Sequence, residues 1–291
     1  MKKTVVLLVL FLCQIQNAYA QKIDFKWEKD SLNGKLIEKI AMSVPFKIEN
    51  KEYRFQFDLG ANTTLIYDKC FENAQFIKDR KIDKNSEAAG HQIFSIENQN
   101  IKIGEFEKSN YKLMGLLNFE QDEVCGVVGA DIFQDKILII DFPKNQILVT
   151  DQLSKKQIEK TVFVDINIIN NKPIIPLNID EITYHFQYDS GASIFPIFTY
   201  RKNFEKLISG SKAGDSLNIK NFNNPLIVKS VEIDKQIFIG KNKFKTKELW
   251  YSDNDLFGFE NDKIDGIIGN VFFLDKKIVI DFKNRKFGIL Q

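Results

Sequence analysis

The stretch FQFDLGA at 55–61 decides the fold, because the chain repeats it almost unchanged as FQYDSGA at 186–192. In each copy an alternating apolar run ends in an acidic residue, Asp58 or Asp189, and a glycine follows two positions later. Alternation indicates a half-buried strand, and the glycine permits a sharp backbone path directly after it. Each copy therefore predicts one carboxylate at the end of a strand.

The repeat extends well beyond these two motifs. Three blocks recur in the same order: 43–61 with 174–192, 101–106 with 237–242, and 126–142 with 266–282. Solenoids stack more than two repeats, so this pattern favours a protein with two similar lobes. The polar, charged stretch 151–161 separates the copies and is predicted to be a linker. We therefore expect a first lobe at 21–150 and a second lobe at 162–291.

Most of each copy has the pattern of β-strands. Two alternating runs flank a polar turn at 49–51, and further β-rich runs flank turn residues near 144–145 and 283–284. Only short helices are predicted, directly after the Gly-x-x-Gly segments at 126–129 and 266–269. The fold class is therefore predicted to be all-β, with two pseudo-symmetric, barrel-like lobes.

The first twenty residues (1–20) have the pattern of a secretory signal peptide. Lys2 and Lys3 precede an apolar run, and small residues three and one positions before Gln21 mark a cleavage site. A short membrane anchor is the alternative, but the run is short for a bilayer and no stop-transfer pattern follows. Cys13 suggests a lipoprotein, for which Leu12 is too large a neighbour. We expect an exported protein, periplasmic or extracellular, with no membrane association after cleavage.

Two cysteines lie beyond the leader, Cys70 and Cys125. An oxidising compartment permits a disulfide between them, and two unpaired core cysteines are the alternative. The sequence leaves both open, since it does not supply the distance between the two Cα atoms.

The paired aspartates have a specific chemical meaning. A single Asp-x-Gly is usually a turn whose carboxylate accepts hydrogen bonds from its own backbone. Two copies related by a pseudo-twofold axis would instead face each other between the lobes, where they cannot both ionise cheaply and so share one proton. The ionised member can take a proton from water while the protonated member donates to a carbonyl oxygen. This is the chemistry of amide hydrolysis without a metal.

Several other function classes lack the residues they need. Without Lys2 and Lys3 the 41 basic residues fall to 39, equal to the 39 acidic ones, which gives no electrostatic basis for binding nucleic acid. His91 and His185 are the only histidines and no Cys/His cluster occurs, so we expect no metal and no cofactor. Neither a G-x-S-x-G elbow nor a P-loop occurs, and the Gly-x-x-Gly at 126–129 lacks the P-loop lysine.

The sequence resembles the pepsin/retropepsin superfamily of aspartic peptidases, most closely the secreted bacterial retropepsin-like type with two lobes in one chain. The resemblance covers nearly all of the chain beyond the leader. It rests on FQFDLGA and FQYDSGA, and on VVGADIF…IIDF and IIGNVFF…VIDF, which follow in the same order. It implies acid-protease-like lobes with a cleft between them and a catalytic dyad of Asp58 and Asp189. The residues that it implies as supports of the dyad are Leu59, Gly60, Ala61, Ser190, Gly191 and Ala192.

The resemblance also implies a hairpin flap over the cleft, between the Asp-x-Gly block and the next repeated block. We place the candidate tip in the first lobe at 88–91, which includes Gly90 and His91. In the second lobe we place it at 213–214, with Gly214.

Leu59 departs from the family pattern, in which Thr or Ser follows each aspartate and its hydroxyl bonds the backbone of the other lobe. Ser190 can form this bond and Leu59 cannot, at a cost of about 0.5–1.5 kcal/mol for one hydrogen bond. Displacement of a carboxylate by about 1 Å would cost ~10²-fold in rate.

Two main hypotheses follow for the function. The first is an aspartic endopeptidase with an acidic optimum, weakened by Leu59, that acts on a peptide or protein substrate. One chain supplies both half-sites, so we expect a monomer. The second is a catalytically silent pair of lobes that binds an extended peptide or an exported protein in the cleft by strand addition. A purely structural secreted β protein is the remaining alternative.

Overall fold

The computed structural model describes residues 20–121, 123–221, 224–255 and 257–291, so the predicted signal peptide lies outside it except for Ala20. Strands dominate these parts of the chain. The first half forms β1 (Gln21–Asp24), β2 (Lys26–Leu32), β3 (Lys35–Ile48), β4 (Lys51–Phe57), β5 (Leu65–Tyr67), β6 (Lys81–Ala88), β7 (His91–Ile103), β8 (Phe106–Leu116), β9 (Gly126–Val128), β10 (Ile137–Asp141) and β11 (Gln146–Thr150). The second half forms β12 (Thr161–Asp165), β13 (Asn167–Ile169), β14 (Lys172–Ile179), β15 (Ile182–Tyr188), β16 (Phe198–Tyr200), β17 (Ala213–Asn221), β18 (Asn224–Glu232), β19 (Ile237–Ile239), β20 (Asn242–Phe244), β21 (Glu248–Ser252), β22 (Gly266–Ile268), β23 (Lys277–Asp281) and β24 (Lys286–Leu290).

Helices are few and short. The α-helices are α1 (Lys155–Glu159), α2 (Glu205–Ser209) and α3 (Phe259–Asp262). The 3₁₀ helices span Asp68–Phe71, Phe76–Asp79, Ala130–Phe133, Phe142–Lys144, Arg201–Phe204 and Asn270–Phe273. Within the described ranges, none of the helices has the length and apolar character needed to cross a membrane.

Three sheets build two lobes and join them. The first lobe is an eight-stranded sheet in the order β2-β3-β4-β9-β5-β8-β7-β6. The second lobe is a ten-stranded sheet in the order β17-β18-β21-β16-β22-β15-β14-β19-β20, with β13 beside β14. A six-stranded sheet, β1-β11-β10-β23-β24-β12, takes strands from both halves of the chain. The predicted all-β fold with two pseudo-symmetric lobes is confirmed.

The pseudo-twofold axis passes through the centre of the six-stranded sheet. Strands β10 and β23 pair antiparallel, with Ile137 opposite Asp281 and Ile139 opposite Val279. The repeated blocks here are 140 residues apart, so Ile139 and Val279 are equivalent positions in the two copies. Equivalent residues that face each other across an antiparallel pair lie on the axis that relates the copies. The sheet therefore fixes the two lobes to each other at their symmetry axis.

Several local predictions are confirmed. Strands β3 and β4 flank a two-residue turn at Glu49 and Asn50, which both have positive φ (46° and 63°). A short 3₁₀ helix follows each Gly-x-x-Gly, at Ala130–Phe133 and Asn270–Phe273. Strands β1 and β2 precede the first repeated block, so the internal repeat does not predict them.

The two cysteines beyond the leader form a disulfide. The Cα atoms of Cys70 and Cys125 are 5.5 Å apart, within the range that a disulfide requires. Cys70 lies in the 3₁₀ helix Asp68–Phe71, and Cys125 directly precedes β9. The bond therefore ties the segment after the first Asp-x-Gly to the strand that lies beneath it.

Candidate active site

Each aspartate of the repeated motif leaves its strand at the same structural point. Strand β4 runs parallel to β9, and the Asp58 N–H donates to the Val128 carbonyl at 3.0 Å. Strand β15 runs parallel to β22, and the Asp189 N–H donates to the Ile268 carbonyl at 3.0 Å. The short strand within each Gly-x-x-Gly block thus anchors one aspartate. This explains why the Asp-x-Gly block and the Gly-x-x-Gly block recur together.

The two carboxyl groups meet at the interface between the lobes. Asp58 and Asp189 lie side by side there, because a single backbone N–H is within hydrogen-bond distance of both carboxyls. The Gly191 N–H donates to the Oδ1 atoms of both Asp189, at 2.9 Å, and Asp58, at 3.2 Å. The Gly60 N–H donates to Asp58 Oδ1 at 2.8 Å, and the Ala192 N–H donates to Asp189 Oδ1 at 3.0 Å. Backbone donors from both lobes therefore orient the pair.

The two motif glycines are required for a reason that differs from the sequence argument. Neither has the positive φ that favours glycine. A Cβ on Gly60 would overlap the carboxyl of Asp189, and a Cβ on Gly191 would overlap the carboxyl of Asp58. Each glycine thus makes room for the aspartate of the opposite lobe. This reciprocal contact brings the two halves of the site together.

Burial and mutual repulsion set the protonation of the pair. Burial raises the pKa of Asp58, while hydrogen bonds from Asp189 and from backbone N–H groups oppose the rise. Burial raises the pKa of Asp189 well above its ordinary value, and the charge of Asp58 raises it further. We infer that Asp189 holds the shared proton and that Asp58 is the ionised member, because the rise is larger at Asp189.

The contact between the lobes beside the dyad is one-sided. Ser190 Oγ accepts a hydrogen bond from the Leu59 N–H at 2.8 Å and donates to the Phe57 carbonyl at 3.0 Å. Leu59 has no polar atom in its side chain to return these bonds, and it is fully buried in the main apolar core. The isobutyl group does not separate the carboxyls, since the Gly191 N–H still reaches both Asp58 and Asp189. The cost of Leu59 in this structure is therefore a missing hydrogen bond rather than a displaced acid.

The candidate flap residues of the first lobe lie at a hairpin turn. Strands β6 and β7 pair Ala88 with His91, and the turn residues Ala89 and Gly90 have φ values of 53° and 79°. Ala88 packs in the same apolar cluster as Ala61 of the first motif. The His91 ring contacts the Leu117 carbonyl, with 3.2 Å from Nδ1 to the oxygen.

The candidate flap tip of the second lobe is wrong. Strands β17 and β18 pair from Ala213 opposite Val231 to Asn221 opposite Asn224, so positions 213–214 lie at the end of the hairpin that is remote from its tip. Gly214 lies at the start of β17, where the register shifts between Ala213 and Ser216. A Cβ at Gly214 would overlap the Ser230 hydroxyl. The glycine marks a close approach of two strands at a bulge, which sequence alone does not distinguish from a turn.

A buried polar network beneath Asp189 was missed from the sequence. The Tyr188 hydroxyl donates to Asn270 Oδ1 at 2.6 Å. Asn270 Nδ2 in turn donates to the Ser190 carbonyl at 2.9 Å and to Ser193 Oγ at 2.8 Å. The signal was present in the repeat, because Tyr188 and Asn270 replace the apolar Phe57 and Ala130 of the first copy.

The raised pKa of Asp189 predicts a pH-dependent stability. Because its folded-state pKa lies above the unfolded value, its contribution is fully present below about pH 3.9 and is lost as the pH rises through the folded pKa. Asp189→Asn cannot ionise, so its free energy of unfolding should increasingly exceed that of the wild type as the pH rises from 4 to 7. Urea unfolding at several pH values measures this difference. The exposed Asp275→Asn is the control, and an Asp189→Asn curve parallel to wild type would contradict the prediction.

The chain has the fold of an aspartic proteinase of known structure. The crystal structure of the aspartic proteinase from Irpex lacteus superposes on it with a TM-score of 0.57, over 94% of this chain and 97% of that chain, at 13% sequence identity. At this identity the likeness concerns the fold alone. No family model matches the chain, and no curated protein is similar to it in sequence.

Proposed function

We propose that this protein is an exported, monomeric aspartic endopeptidase that hydrolyses peptide bonds between its two lobes. The observation that carries the proposal is the convergence of the partly buried carboxyls of Asp58 and Asp189, one from each lobe, on the same backbone N–H of Gly191. Two acids held in contact with unequal pKa values provide one base and one acid at the same pH. A fold that served only as a scaffold would have no need of two like charges at its lobe interface.

Each carboxyl has a distinct role in the proposed reaction. The ionised Asp58 takes a proton from a water molecule as its oxygen attacks the peptide carbonyl carbon, and Asp189 donates its proton to the carbonyl oxygen. The resulting tetrahedral diol then collapses. One diol hydroxyl returns its proton to Asp189, and Asp58 passes its proton to the leaving amine. Both carboxyls thereby return to their starting protonation states.

The same pair limits the pH range of the reaction. Activity falls at low pH when Asp58 becomes protonated and at higher pH when Asp189 loses its proton. Since burial raises the pKa of both groups, and that of Asp189 more strongly, the upper limit should lie well above the ordinary range of aspartates. We therefore expect a broad optimum in weakly acidic solution.

Leu59 favours a second candidate function. Of the two residues that follow the aspartates, Ser190 alone has a side chain that bonds the backbone of the other lobe, since Leu59 has no hydroxyl. If this restraint is too weak for turnover, the cleft would bind an extended peptide, or a segment of an exported protein, by strand addition without cleaving it.

An unbiased peptide library distinguishes the two candidates. The protein is incubated with the library between about pH 3 and pH 7, and both cleaved and retained peptides are identified by mass spectrometry. The double variant Asp58→Asn/Asp189→Asn is run beside it as the control. Cleavage by the wild type alone supports the peptidase, and peptides retained intact support the binding module. Equal cleavage by the double variant would contradict the proposed mechanism.

A further inference from the structure

The two lobes differ in the side chains that pack directly beneath their aspartates. In the second lobe, the Tyr188 hydroxyl, the Asn270 amide and the Ser193 hydroxyl form a connected network that ends on the Ser190 carbonyl. All of these side chains are at most 2% exposed. In the first lobe the positions equivalent to Tyr188 and Asn270 are occupied by Phe57 and Ala130, which have no polar side-chain atoms.

Ser190 is held from two directions. Its hydroxyl bonds the first lobe, through the Leu59 N–H and the Phe57 carbonyl. Its carbonyl accepts a hydrogen bond from Asn270 of its own lobe. Since Ser190 directly follows Asp189, restraint of its backbone restrains the carboxyl as well.

We propose that Asn270, oriented by Tyr188, is a positioning residue for Asp189 that compensates for the hydroxyl missing at Leu59. This inference rests on the proposed peptidase function. A reciprocal hydroxyl at position 59 would hold the second motif from across the interface. The chain holds the same segment from below instead, by an amide that makes three hydrogen bonds.

An amide is the side chain that fits this position. The Tyr188 hydroxyl is directed to Oδ1, which leaves the two hydrogens of Nδ2 for the Ser190 carbonyl and for Ser193 Oγ. A carboxylate of the same shape would accept from Tyr188 but could not donate to the Ser190 carbonyl. Aspartate at this position would also add a titrating charge beside the dyad, so the clean substitution is Asn270→Leu, which keeps the shape and removes all three hydrogen bonds. Asn270→Ala removes volume as well.

A double-mutant cycle between positions 59 and 270 tests the proposal. With a peptide cleaved by the wild type as substrate, Asn270→Leu and Asn270→Ala should each lower kcat by about 10- to 100-fold with little change in KM, because a misplaced carboxyl slows the chemical step. The upper limb of the pH–rate profile should move to lower pH, as Asp189 becomes less confined. In the Leu59→Thr background the loss should be less than about threefold.

Tyrosine variants provide a matched control. Tyr188→Phe should reproduce part of the Asn270→Leu effect, including the shift of the pH profile. Tyr111 donates a hydrogen bond to Asp131 in the equivalent 3₁₀ helix of the first lobe. Tyr111→Phe should therefore leave kcat and the pH profile unchanged.

A second readout separates this inference from the proposed function. The pH dependence of the free energy of unfolding reports the pKa of Asp189 without any turnover. Asn270→Leu, which adds no charge, should weaken this pH dependence relative to wild type, and adding Leu59→Thr should restore it. A wild type that cleaves nothing refutes the peptidase, yet restoration would still support the coupling. Strictly additive effects of the two substitutions, in either readout, would overturn the inference.

Discussion

Asp58→Asn and Asp189→Asn should each lower kcat/KM for peptide cleavage by about 10³-fold or more. Each substitution leaves a side chain of nearly the same shape, so the hydrogen bonds from Gly60, Gly191 and Ala192 can largely persist. The chemistry cannot persist, because an amide neither accepts a proton from water nor donates one to the carbonyl oxygen at these pH values. Asparagine at position 58 removes the base, and asparagine at position 189 removes the acid.

The measurement is steady-state hydrolysis of one peptide selected from the library. Circular dichroism of each variant establishes that the fold is retained, and Asp275→Asn serves as a control for loss of an exposed aspartate. Hydrolysis by either dyad variant at more than a tenth of the wild-type rate would show that the reaction does not use the pair.

Leu59→Thr should raise kcat/KM by about tenfold, the second largest effect expected. Threonine adds the hydroxyl that would return the bonds made by Ser190, and one or two hydrogen bonds of about 0.5–1.5 kcal/mol each correspond to a rise of this order. The gain should appear in kcat, since the hydroxyl restrains the carboxyls rather than the substrate.

Leu59→Val is the matched control for this change. Valine has the branched shape of threonine without the hydroxyl, so both variants lose similar volume from the main core. Comparison of the two variants isolates the hydroxyl from the packing change. Equal activity of Leu59→Thr and Leu59→Val would show that the missing bond does not limit the enzyme.

Much of the fold follows from the repeat in the sequence. The pair FQFDLGA and FQYDSGA, with a Gly-x-x-Gly helix after each, predicts two lobes that each present one aspartate. This prediction succeeds because the two copies are related by a symmetry axis, on which Ile139 pairs with Val279. Symmetry converts a local pattern into a long-range contact, which a single copy could not predict.

The remaining features depend on contacts that local patterns do not encode. Glycine is required at positions 60 and 191 because the carboxyl of the opposite lobe lies where a Cβ would be. It is required at position 214 because Ser230 lies there. In the sequence all three have the same appearance as turn glycines. The role of Asn270 depends on its three partners, which come from Tyr188, Ser190 and Ser193. Only the difference between the copies indicates that this position is special.

The central claim is that the two carboxyls act as one pair with a shared proton. Carbon-13 NMR titration of the aspartate carboxyls tests it most directly, with the two resonances assigned from Asp58→Asn and Asp189→Asn. We expect one carboxyl to remain protonated well above the ordinary aspartate pKa of about 3.9, and substitution of either residue to shift the titration of the other. Two carboxyls that titrate independently near that value, each unaffected by loss of the other, would contradict the claim.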